Sequence, residues 1–174
     1  MEPERTALVL PLDRAERLFG DLRRANVHEL TAYVPAHVTL AHPLPAMAEF
    51  GERLERLRAV FAAEAPFELT LEGFGRFEAA RVLYLLAHPS DRLQRLADAC
   101  FAACPGAEPE HPQHIFHVTL VQGGDNLDAA QGAVAKRFAA DLPLIERIDR
   151  AEIYAKFGGG WRLKEVLPFS AAPP

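Results

Sequence analysis

His37-Val38-Thr39-Leu40 and His117-Val118-Thr119-Leu120 are one tetrapeptide met twice, eighty positions apart. Each copy alternates polar with apolar residues, and Val and Thr are β-branched, so each reads as a short strand. With a period of two, His37 and Thr39 share one face while Val38 and Leu40 share the other, and the second copy repeats this. An apolar back and a front of imidazole plus hydroxyl, made twice, exceeds what core packing requires. If the two fronts face each other, one site gains two imidazoles and two hydroxyls.

Outward from these strands the chain keeps repeating. DRAERL at 13–18 matches DRLQRL at 91–96, and Phe77 and Leu83 around a short turn match Phe157 and Leu163 around Gly158-Gly159-Gly160. The chain therefore reads as one domain over 1–174, built from two repeats at about 6–88 and 81–169 that share a central hairpin. Two copies of that length are too few and too long for a solenoid. The expected fold is α+β, bilobal and pseudo-twofold, with two antiparallel sheets lining a central cleft and two helices on each outer face. Helices are expected over 14–27 (capped by Asp13, with Ala15, Leu18, Phe19 and Leu22 inward), 48–64, 90–105 and 127–140. Strands are expected over 6–12, 67–77 and 82–87, with 145–157 and 161–169 as a closing hairpin. His42, just before Pro43, reads as a loop residue, and His28 and His88 as surface or turn residues.

Composition narrows the function. The 174 residues are 49% hydrophobic and 25% charged, ordinary for a globular domain. A net charge of −5 argues against broad binding to a nucleic-acid duplex, which needs a basic surface. A small nucleotide or an RNA end needs few phosphates neutralised and stays admissible. No run approaches the ~20 apolar residues of a membrane span, and MEPERTALVL is acidic with too short an apolar run for a leader. Cytoplasm is the expected location, and a monomer the expected state. Cys100 and Cys104 fall on the apolar stripe of their helix with Leu93, Leu96 and Ala97 and read as core, with no CxxC motif beside them.

The chemistry follows from the paired motifs. An imidazole has a pKa of roughly 6.5, so one of a pair can accept a proton while the other donates one. Hydroxyls two residues on can donate to phosphoryl oxygens as charge builds there. This arrangement requires no metal, and no cofactor is expected. His111, His114 and His117 suggest a metal set, yet 114 and 117 fall on opposite faces of an extended chain and no cysteine or carboxylate cluster completes it.

With these residues in view, the sequence resembles the two-histidine (2H) phosphoesterase superfamily, specifically the LigT-like proteins called 2'-5' RNA ligases and their cyclic phosphodiesterase relatives. The resemblance runs through HVTLAHPL, GFGRF…RVLYLL, HVTLVQG and the closing hairpin. It implies that His37 and His117 are an acid–base pair in the cleft, and that Thr39 and Thr119 hold the phosphate. It implies hydrolysis of a 2',3'-cyclic phosphate or a related small nucleotide or RNA-end phosphoester. Gln122 stands where RNA-processing members often carry an arginine, which points toward a small substrate. Two other readings stay open, a binding module that holds a nucleotide without turning it over, and a 2'-5' RNA ligase. Tyr84 could stack on a base in the cleft or pack into the core. Trp161 and Arg162 could form a flap over the cleft or an exposed hairpin tip. Arg14, Arg17, Arg92 and Arg95 read as solvated helix charges.

Overall fold

The computed structural model describes residues 5–27, 33–111, 114–158 and 160–172. In chain order the elements are β1 (Arg5–Pro11), α1 (Asp13–Asn26), β2 (His37–Leu44), α2 (Glu52–Ala62), β3 (Phe67–Phe77), β4 (Val82–His88), α3 (Ser90–Ala103), β5 (His117–Gln122), α4 (Leu127–Arg137), β6 (Leu144–Ile148), β7 (Arg150–Phe157) and β8 (Gly160–Pro168). They form the α+β fold expected, with two antiparallel four-stranded sheets ordered β2-β1-β7-β8 and β5-β4-β3-β6.

Neither half of the chain builds a sheet alone. The first sheet takes β1 and β2 from the start of the chain and β7 and β8 from its end. The segment 145–157, expected as one strand, is divided at Asp149. Upstream, β6 pairs with β3 in the second sheet; downstream, β7 pairs with β1 in the first. Asp149 and its neighbour Arg150 sit at the crossing, and Arg150 is tied to Asp13 at 2.9 Å.

The back faces of the sheets bury Val38, Leu40, Val118 and Leu120 completely. Each such side chain contributes roughly 1.5–3 kcal/mol through burial. Helix α1 packs against β5 and β6 and α4 against β4, so both cover the second sheet. On the other side α2 packs against β8 and α3 against β2, covering the first. Thus α1 leaves a strand of one sheet to cover the other, which binds the two lobes into one core. Phe19 on α1 meets Phe138 edge-on at 4.8 Å within that core.

Three local expectations are corrected. Asp13 lies inside α1 rather than capping it; the amide of Ala15 instead donates to the Glu146 carboxylate from β6. His42 belongs to β2, not to a loop. Arg92 is no solvated charge: it pairs with Glu64 at 3.0 Å and its guanidinium lies 4.0 Å from the centre of the Phe67 ring. Cys100 and Cys104 are free and buried, as core residues.

Candidate active site

The alternation that begins each HVTL strand is interrupted at the same place in both. Val9 lies opposite Thr39 and Leu8 opposite Ala41, so Leu40 has no partner on β1. Tyr84 lies opposite Thr119 and Leu83 opposite Val121, so Leu120 has none on β4. A bulge of this kind inserts one residue and re-aims those that follow. Beyond the bulges, Ala41 and Val121 are buried, while His42 and Gln122 return to the front and border the cleft. Each motif strand therefore presents three side chains: His37, Thr39 and His42 on β2, and His117, Thr119 and Gln122 on β5.

Between the sheets lies a cavity of about 890 Å³ bordered by His37, Thr39, His42, His117 and Gln122. Thr119 is half-buried beside it and is not among the residues that border it. His37 and His117 are held alike. Nδ1 of His37 is 2.7 Å from the Pro35 carbonyl, and Nδ1 of His117 is 2.6 Å from that of Ile115. A carbonyl can only accept, so in the neutral rings Nδ1 carries the hydrogen and Nε2 keeps the lone pair.

The surroundings of the two rings differ. Burial pushes His37 down to about 4, with the charges of Arg23 and His117 adding to it and the Pro35 carbonyl opposing. His117 is lowered by burial against the pull of the Ile115 carbonyl. It is packed among aromatic rings, Phe77 at 5.1 Å and Tyr84 at 4.8 Å between ring centres.

Tyr84 is 5% exposed and does not border the cavity. Its ring lies over Gly75, where an added Cβ would come within 2.3 Å of it, so only glycine permits that seat. Of its two readings, burial favours the packed one. Trp161 does border the cavity, 6.2 Å from His42, on a regular strand. His114 borders it as well and stacks on Phe116 at 4.5 Å. Among the described residues no three His, Cys, Asp or Glu side chains gather into a metal site.

Sequence reasoning missed Arg23. Its side chain is 4% exposed and borders the cavity, with Nε donating to the Thr119 carbonyl at 2.8 Å and Nη1 to the Val34 carbonyl at 3.2 Å. The signal was present, because Ala15, Phe19 and Arg23 recur at four-residue spacing and share the buried stripe of α1.

A pair of similarly held imidazoles on the facing strands of a two-sheet cleft defines the class of two-histidine phosphoesterases. The pattern of the 2'-5' RNA ligase superfamily matches residues 11–159, and the chain belongs to that family. A Geobacillus kaustophilus protein, whose name places it provisionally among the phosphoesterases, is 27% identical over 86% of this chain and 87% of its own. E. coli LigT, in a crystal structure with NADP+, superposes with a TM-score of 0.63 at 17% identity over 98% of this chain and all of LigT. In a structure with 3'-AMP the same protein superposes with a TM-score of 0.60 at 19% identity, over the same shares of the two chains. No described helix is long and apolar enough to cross a membrane.

Proposed function

We propose that this protein is a metal-independent phosphodiesterase that opens a 2',3'-cyclic phosphate or a similar small nucleotide phosphoester, with His37 and His117 as its acid–base pair. The observation that carries the reading is the matched tethering of the two rings, which gives each an Nε2 free for proton transfer beside one cavity. A water attacks phosphorus and loses its proton to one Nε2; the P–O2' or P–O3' bond breaks; the released oxygen takes a proton from the other Nε2. The product is a phosphomonoester with a free neighbouring hydroxyl. Thr39, at the border of the cavity, donates a hydrogen bond to a non-bridging oxygen as charge gathers there; Thr119, set back beside the cavity, is the matching donor of the second motif only for a phosphate that reaches past that border. Tyr84 acts here as a positioning residue, holding the His117 ring from behind.

The organic part of the substrate has a natural seat. Ala7, Val9, Val34, Tyr154 and Trp161 form a small apolar cluster on the front of the first sheet, bordering the cavity on the His37 side. That the LigT structures carry NADP+ and 3'-AMP accords with a nucleotide of this size. The acidic residues Glu78 and Glu110 also border the cavity, which disfavours a long RNA and with it a ligase.

Phosphorus NMR of 2',3'-cyclic nucleotides tests the proposal, with wild type, His37→Ala and His117→Ala compared in the presence of chelator. Conversion to a 2'- or 3'-monophosphate by wild type alone supports it. Ligand-induced thermal stabilisation without conversion would replace it with the binding-module reading.

A further inference from the structure

We propose that Tyr154, its hydroxyl fixed by Glu152, makes the apolar seat on the His37 side select bases that carry an exocyclic amine, adenine and cytosine, over their oxo counterparts, hypoxanthine and uracil. The inference deepens the phosphodiesterase reading and rests on it for the presence of a nucleotide, whereas the bonding of Tyr154 comes from the structure alone.

Tyr154 and Glu152 lie two residues apart on β7 and share its front face, where Tyr154 stands opposite Ala7 and Glu152 opposite Val9. Tyr154 belongs to the apolar cluster and borders the cavity, while Glu152 is buried and does not border it. The Tyr154 hydroxyl donates to one Glu152 oxygen at 3.1 Å, and Nε of Arg150 donates to the other at 3.0 Å. Arg150 is itself forked onto Asp13 at the start of α1, at 2.9 and 3.1 Å. Asp13 already gives Arg150 a carboxylate, so ion pairing alone does not require a second one buried beside the seat. What Glu152 adds is a fixed direction for one proton.

That direction decides what the seat accepts. A carboxylate takes hydrogen bonds and gives none, and a phenol has a single hydrogen to give. With that hydrogen committed to Glu152, the Tyr154 oxygen offers a ligand lone pairs only. In the rest of the cluster Ala7, Val9 and Val34 carry no polar side-chain atom and the Trp161 indole only donates, so Tyr154 supplies the cluster's side-chain acceptor. An amino group at the edge of a base meets that oxygen with an N–H. A carbonyl in the same place meets it lone pair to lone pair, losing its water and gaining no partner. Tyr33, which also borders the cavity, likewise donates to a carboxylate, that of Glu16 at 2.7 Å, but its oxygen lies 3.4 Å from Nη1 of Arg23.

The test pairs ligands that differ at this edge, amine against carbonyl. Calorimetry measures binding of 3'-CMP and 3'-UMP, and steady-state kinetics measures turnover of the two 2',3'-cyclic nucleotides, with thermal melts establishing that each variant is folded. Wild type should favour the cytidine compound about tenfold in both. In Tyr154→Phe, which keeps the ring and removes the oxygen, the preference should fall to about threefold or less, through the cytidine compound. In Glu152→Gln the carboxamide can donate to the Tyr154 oxygen and turn the phenol hydrogen toward the cavity, so the preference should move toward uridine. A role in packing alone would weaken both nucleotides alike and leave their ratio unmoved. Equal affinity for the two in wild type, no measurable affinity for either, or a preference that survives Tyr154→Phe overturns the assignment, whatever the turnover. The binding preference in a wild type that turns over neither cyclic nucleotide leaves the assignment standing and removes the phosphodiesterase reading.

Discussion

Laid side by side, the two sheets carry the same backbone and opposite fillings. Across the first, the row through the motif threonine reads Thr39, Val9, Glu152; across the second it reads Thr119, Tyr84, Gly75. In the second sheet the Tyr84 ring leans over Gly75 and, with Phe77 at 4.5 Å, supports His117. In the first, Val9 is too small to do so, and Glu152 takes the neighbouring place, accepting from the Tyr154 hydroxyl at 3.1 Å and from Arg150 at 3.0 Å. Hence the His37 side has room for a ligand and is governed by charge, while the His117 side is packed and governed by rings. Two sheets of like order supply two similarly tethered imidazoles; the side chains around them make the two unequal.

The largest effect expected from breaking this contrast comes from Val9→Tyr, which gives the first sheet the filling of the second. It should lower kcat/KM for a cyclic nucleotide by about a hundredfold, chiefly through KM, because it occupies the seat of the organic group. Steady-state kinetics on the folded variant would show it, with the melting temperature falling modestly because Val9 is buried. Next comes Gly75→Ala. The new methyl must displace the Tyr84 ring, so urea titration should show a loss of about 1–3 kcal/mol, with a fall in kcat as His117 loses its support.

A smaller effect concerns pH. Folding holds His37, His114 and His117 below the ordinary imidazole value, so the unfolded chain binds more protons in mildly acidic solution. Stability is therefore full above about pH 6.5 and is lost as pH falls from there toward 4. His37→Gln should flatten that decline in a urea series between pH 7.5 and 4.5. The smallest effect is that of Tyr84→Phe, which keeps the ring under His117 and removes only a hydroxyl. Stability should stay within about 0.5 kcal/mol of wild type, and kcat nearly unchanged.

Much of this was legible in the sequence, for a physical reason. Strands such as HVTL and helices such as Asp13–Asn26 write their periodicity locally, and the repeated tetrapeptide displayed the histidine pair. What was not legible depends on relations between distant segments. The bulges at Leu40 and Leu120 are mismatches between two strands and appear in neither strand alone, so His42 passed for a loop residue. The crossing at Asp149 depends on which strand each side pairs with. Tyr84 could be seated only once Gly75 was known to lie beside it. Arg23 was different, for its spacing from Phe19 marked it as inward, and only its charge argued otherwise.

The central claim is that two similarly held histidines do unlike work, and the pH dependence of kcat/KM in wild type, His37→Ala and His117→Ala tests it most directly. Wild type should give a bell with its acid limb near pH 4, set by His37, and its alkaline limb below the ordinary imidazole value, set by His117. The residual activity of His37→Ala should lack the acid limb, and that of His117→Ala the alkaline one. A wild-type profile flat from pH 4 to 8, or the loss of the same limb in both variants, would contradict it.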